Sequence, residues 1–80
     1  MKETHYDARG LICPLPVLKA RKILMTLPAG ALLRVSVTDA YAPKDFEIFC
    51  ADSGHRFVSA EEKNGVTDVI VECRSNSKPV

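Results

Sequence analysis

Leu32-Leu33-Arg34-Val35-Ser36-Val37-Thr38 alternates apolar and polar side chains along its length. Successive side chains of a strand point to opposite faces, so Leu33, Val35 and Val37 share one face while Arg34, Ser36 and Thr38 share the other. The segment reads as a strand with one face packed and one largely wet. A sheet built around such a strand carries its helices on one side only.

On the N-terminal side, Pro28-Ala29-Gly30 is a stop signal for a preceding helix. The pattern from Pro14 to Leu27 is helical: Val17, Ala20, Leu24 and Leu27 form one stripe, with Lys19, Lys22 and Thr26 opposite. Arg9-Gly10 marks a turn before it, and Thr4–Asp7 reads as a short edge strand. On the C-terminal side, Tyr41-Ala42-Pro43 introduces a second helix over Pro43–Ser53, with Pro43 suited to the first turn. Its expected inner stripe is Phe46, Phe49, Cys50 and Ser53, and Gly54 is a natural stop. Strands are expected over Arg56–Glu62 and Thr67–Cys73, joined at Lys63-Asn64-Gly65, a hairpin signal.

The element order is strand, helix, strand, helix, strand, strand. Right-handed crossovers put both helices on the same face if the chain keeps moving in one direction across the sheet. The expected architecture is therefore a two-layer α/β sandwich. Eighty residues allow one domain, with an ordered core over about 4–73 and a polar tail over 74–80. There is no room for a deep enclosed active site, so any chemistry lies near the surface.

The formal net charge of +1 hides an asymmetry. Through Arg34 there are six bases and two acids, and no acid occurs between Asp7 and Asp39. That is enough to steer an acidic partner but too little for an expectation of direct nucleic-acid binding. No apolar run is long enough to span a bilayer, and Met1–His5 lacks the apolar core of a signal peptide. The three cysteines, Cys13, Cys50 and Cys73, are odd in number and widely spaced. They argue against a disulfide framework and for a reducing compartment, the cytoplasm. Without C-x-x-C or a paired histidine cluster, no metal site is expected, and no cofactor is implied.

Cys13 is the residue on which chemistry centres. It precedes Pro14-Leu15-Pro16, where a helix is about to begin. Proline at the first helical position loses nothing, although Leu15 before Pro16 is biased away from helical angles, so the first turn begins at Pro14 or slips to Pro16. A thiolate at a helix N-terminus is stabilised by free N–H groups and the helix dipole, which makes the sulfur more nucleophilic. The alternative is a buried cap residue without reactivity. If the first two strands are parallel, Asp39 stands near Cys13 at their carboxyl ends, either orienting a partner or capping the next turn. Arg21 and Lys22 either dock an acidic partner, steady an anionic sulfur, or are simply a solvated face. Cys50 reads as core, Cys73 as packed or partly exposed, and His55 has no second histidine to make it a ligand.

Asp7-Ala8-Arg9-Gly10-Leu11-Ile12-Cys13-Pro14-Leu15-Pro16 closely resembles the opening of the TusA-like (SirA-like) sulfur-carrier family, marked by C-P-x-P after D-x-x-G-L. The likeness continues through Arg21-Lys22, Pro28-Ala29-Gly30, Asp39, Lys44-Asp45, Phe49-Cys50 and Gly54-His55. The resemblance implies a βαβαββ sandwich with a mixed four-stranded sheet and two helices on one face. It also implies that Cys13 accepts sulfane sulfur as a persulfide and hands it to another protein, within a structural frame of Gly10, Pro14 and Pro16. Arg21 matches a family arginine implicated in receiving sulfur from, or docking to, a cysteine desulfurase, and Asp39 matches an aspartate near the same surface. The expected partners are a cysteine desulfurase or other persulfide donor and a downstream sulfur acceptor. A stoichiometric relay fits better than an independent turnover enzyme. Two other readings stand beside it: an adaptor that uses the same surface with Cys13 merely structural, and a small nucleic-acid-binding domain.

Overall fold

The computed structural model describes residues 3–74. Its elements are β1 (Glu3–Asp7), α1 (Leu15–Leu24), β2 (Leu32–Val37), α2 (Ala42–Ser53), β3 (Arg56–Lys63) and β4 (Val66–Glu72). The strands form one sheet in the order β1-β2-β4-β3. β1 and β2 are parallel, and β4 runs antiparallel to both β2 and β3. The sheet is therefore mixed: β1, β2 and β3 point one way and step in one direction, with β4 inserted between the last two. Both helices cover the same face, as expected. The proposed tail over 74–80 lies outside the described residues except for Arg74.

Leu33, Val35 and Val37 of β2 are fully buried, as are Val69 and Val71 of β4. The register pairs Leu33 with Val71 and Val35 with Val69, so these side chains form one apolar floor. Ala20 and Leu24 of α1 and Ala42, Phe46 and Cys50 of α2 pack onto it. Burying a side chain such as Leu24 or Phe46 contributes about 1.5–3 kcal/mol, and these contacts tie both helices to the sheet.

Three expectations change in detail. α1 begins at Leu15 and ends at Leu24, three residues short of the expected Leu27. At its end the Thr26 and Leu27 N–H groups donate to the carbonyls of Ile23 and Leu24, a tighter i−3 pattern, and Pro28 cannot continue the helix. On α2, Ser53 is exposed and Ala42 takes its place on the buried stripe, one turn before Phe46. On the open face of the sheet, Ser36 is buried rather than wet. Its hydroxyl donates to Asp68 Oδ1 at 2.7 Å and lies 2.8 Å from His5 Nε2, so neighbours on β4 and β1 replace water.

The hairpin forms where Asn-Gly predicts it. Asn64 and Gly65 both have positive φ, 55° and 83°, as a two-residue turn matching strand twist requires. β3 shifts register between Phe57 and Ser59, leaving Val58 as an extra residue. Just past β4 the Cys73 N–H donates to the Ala31 carbonyl at 2.8 Å, the Gly30 N–H donates to the Cys73 carbonyl at 2.7 Å, and the buried Cys73 thiol faces the carbonyls of Leu24 and Leu27.

Candidate functional site

Because β1 and β2 are parallel, the connections leaving them emerge at the same edge of the sheet. Three hydrogen bonds join the two connections side by side. The Ala8 N–H donates to the Ser36 carbonyl at 2.8 Å, the Gly10 N–H to Thr38 Oγ1 at 2.9 Å, and the Cys13 N–H to Asp39 Oδ2 at 2.6 Å. Gly10 has φ of 84°, a left-handed conformation that turns the first connection toward α1.

Cys13 is half-buried at the last step before α1. Pro14 is the N-cap, with no side-chain cap bond, and Pro16, fully buried, anchors the first turn in the core. The peptide bond from Cys13 to Pro14 is cis. Leu15 is helical despite the proline after it; its N–H donates to the Ile12 carbonyl at 2.9 Å, and the Leu18 N–H reaches the Pro14 carbonyl at 3.1 Å.

Asp39 does the work of a cap. One carboxylate oxygen takes the Cys13 N–H and the other takes the Tyr41 N–H at 2.9 Å. These two backbone donors hold its carboxyl below the usual range. Of the two readings of Asp39, the structure places its oxygens on the backbone, between the Cys13 loop and the start of α2.

Asp45 is the residue that sequence reasoning missed. It lies in the first turn of α2, and its Oδ2 accepts the hydrogen bond of the Cys13 thiol. The consequence reverses the expected electrostatics of the sulfur. The bond to Asp45, then partial burial, then the negative charges of Asp45 and Asp39 push the Cys13 thiol up from 9.0 to about 11. A carboxylate in contact with the sulfur disfavours the thiolate, opposite in direction to the effect expected of a helix N-terminus. A signal was present in the sequence. An acid in the first turn of a helix starting beside the cysteine loop is positioned to reach that loop, but only the parallel pairing of β1 and β2 brings the two helix starts together.

Arg21 and Lys22 sit in the last turn of α1, exposed, where the negative end of the helix dipole favours cations. Arg21 lies six residues beyond Leu15, roughly 9 Å along the axis at ~1.5 Å per residue. That spacing separates them from the Cys13 loop along the helix. Together with Leu15, Leu18, Lys19 and Met25 they line a shallow open groove on the outer face of α1. Ile12, next to Cys13 in the loop, and Tyr41, whose N–H is held by Asp39, are 71% and 73% exposed.

The other two cysteines are buried away from this loop's surface. Cys50 is buried on α2 and its thiol is pushed up to about 11 by burial alone. Cys73 is buried beneath the end of α1. His55 packs its ring against Phe49, 5.7 Å between centroids, and its Nδ1 accepts the Arg74 N–H. Among the described residues no group of three or more histidines, cysteines or acids could hold a metal ion. No described helix is long and apolar enough to cross a membrane.

Comparison with known sequences gives a match to the family described as Sulfurtransferase TusA over residues 4–73. The chain belongs to this family. A protein of Neisseria meningitidis serogroup A, provisionally named a sulfur carrier protein, is 43% identical over 72 residues, 90% of this chain and 97% of that one. The sulfur carrier protein TusA of Allochromatium vinosum is 41% identical over 63 residues, 79% of this chain and 83% of that protein. Among solved structures, the SirA-like protein of Desulfitobacterium hafniense superposes with a TM-score of 0.79 at 29% identity, covering 89% of this chain and 97% of that one. The likeness spans nearly the whole sandwich, the Cys13 loop included.

Proposed function

We propose that this chain is a sulfur carrier in which Cys13 receives sulfane sulfur as a persulfide from a donor protein and passes it to an acceptor protein. The observation that carries this reading is the placement of one half-buried thiol on the loop before α1, on a domain whose other two cysteines are buried. The family match and the sulfur-carrier names of the relatives support it.

The transfer is a thiol–persulfide exchange. Cys13 Sγ attacks the outer sulfur of the donor's cysteine persulfide, a new S–S bond forms, the donor's S–S bond breaks, and the donor cysteine leaves as a thiolate that takes up the proton lost by Cys13. No external oxidant or reductant is needed, because the transferred sulfur keeps its oxidation level. Delivery to the acceptor repeats the exchange with the roles reversed. A relay of this kind suits a domain with surface chemistry. Its specificity comes from docking: the α1 groove, apolar at Leu15, Leu18 and Met25 and cationic at Arg21 and Lys22, fits a donor such as a cysteine desulfurase that offers acids around an apolar contact.

Incubation with a cysteine desulfurase and cysteine, followed by intact mass measurement without reductant, tests the reading. Wild type gains one sulfur and Cys13→Ser gains none. No adduct on wild type, or an equal adduct on the variant, overturns it.

A further inference from the structure

We propose that Asp45 guards Cys13: its carboxylate holds the thiol proton and keeps the sulfur uncharged until a partner protein draws it out of that contact. The inference rests on the sulfur-carrier reading of Cys13 and adds a means by which that site is regulated.

The geometry comes from the two helix starts. Asp45 projects from the first turn of α2, and its Oδ2 accepts the hydrogen bond that the Cys13 thiol donates. The charged groups that act on the sulfur are Asp45 from α2 and Asp39 from the connection between β2 and α2, and both are acids. Asp39 has its oxygens on two backbone N–H groups, which leaves Asp45 as the acid in contact with the thiol. Lys19, Arg21 and Lys22 of α1 and Lys44 of α2 are not among the charged groups that act on the sulfur. The site is therefore arranged against a free thiolate, although a thiolate is the form that attacks.

A carrier gains from this arrangement. Its thiol is bordered by exposed surface, and small oxidants and electrophiles react with thiolate rather than thiol. Holding the proton suppresses those reactions in the free protein. A docked donor reaches Cys13 from the side of Ile12 and Leu15, and movement of the sulfur toward it breaks the bond to Asp45. Reactivity then belongs to the complex and not to the carrier alone.

The test is the rate of alkylation of Cys13 by iodoacetamide across pH, read on the Cys13 peptide by mass spectrometry so that Cys50 and Cys73 do not interfere. In wild type, Cys13 at pH 8 reacts more slowly than the same residue in the chain unfolded by urea. Asp45→Asn removes the charge and the anionic acceptor. A thiol restored to its ordinary acidity carries about a hundredfold more thiolate than one two units higher, and the accompanying loss of nucleophilicity takes back about half of that on a logarithmic scale. The expected result is about tenfold faster alkylation in Asp45→Asn. Equal rates in variant and wild type overturn the guard. So does a folded wild type that reacts as fast as the unfolded chain, a comparison that does not depend on the variant folding. Sulfur loading of wild type against Cys13→Ser is scored separately, so a failed guard and a failed carrier give different results.

Discussion

The backbone N–H of Cys13 and the carboxylate of Asp39 meet at 2.6 Å, while the second oxygen of the same carboxylate holds the N–H of Tyr41 at 2.9 Å. One side chain at the end of β2 therefore fixes both the loop that presents the sulfur and the start of α2, from which Asp45 reaches it. Loop geometry and thiol chemistry are set by one anchor.

Asp39→Asn keeps one acceptor oxygen but loses the second and the charge, so it lowers the urea midpoint at neutral pH. The two backbone donors depress the carboxyl of Asp39 below its ordinary 3.8 in the folded protein. A depressed folded value gives stability that is present above the unfolded value and lost as pH falls through the folded one. Wild type and Asp39→Asn are thus expected to differ by a constant amount above about pH 5 and to converge below 3.8. Urea titrations from pH 7 to about pH 2.5 check this, and a gap that persists undiminished at the acid end contradicts the assignment.

Phe46 joins the two layers, fully buried on α2 over the β2 and β4 floor. Phe46→Ala removes its packing and leaves a cavity, at a cost of about 3–5 kcal/mol. For a domain of this size that is a large part of total stability. Denaturant unfolding is expected to show a much lower midpoint, whereas Ile48→Ala, one of the exposed apolar positions on the same helix, changes it little.

Much of the fold was legible because local signals and tertiary demands agree. The alternation at Leu33, Val35 and Val37, the Asn64-Gly65 turn and the Gly54 cap, with φ of 90°, each needed only neighbouring residues to be read. What was not legible depended on contacts across the sheet. Ser36 looked solvent-facing because its partners, His5 and Asp68, lie on two other strands, and β4 sits beside β2 only through the hairpin. The site divides in the same way. Cys13 and its helix start were visible in the Pro14-Leu15-Pro16 run, and Asp39 was placed by the parallel pairing. The carboxylate beside the sulfur was not legible, because the helix start is a local feature while Asp45 comes from thirty-two positions along the chain.

Gly65 gives a clean test of backbone conformation. Its φ is 83°, and a Cβ built there meets nothing within 4 Å, so a substitution is strained by the backbone alone. Gly65→Ala is expected to cost about 1–2 kcal/mol, the penalty for an L-residue in the left-handed region. Gly65→Asn costs less, since asparagine tolerates that region. Equal losses for both variants, measured by thermal unfolding, would indicate that lost flexibility and not handedness governs this turn.

The cations at the end of α1 separate docking from chemistry. Arg21 and Lys22 are exposed, and no ion pair engages either among the described residues. Reversing both charges, Arg21→Glu with Lys22→Glu, therefore leaves the urea midpoint and the alkylation rate of Cys13 near wild type. Sulfur loading from a donor with an acidic surface responds differently. The donor concentration needed for half-maximal loading is expected to rise about tenfold at low salt, because rim charges act mainly on encounter and register. The difference shrinks as ionic strength rises and screening shortens the reach of each charge to about 8 Å at physiological salt. Loading that is unchanged at low salt would place the donor elsewhere on the sandwich, while slower alkylation in the variant would show that the cations act on the sulfur itself.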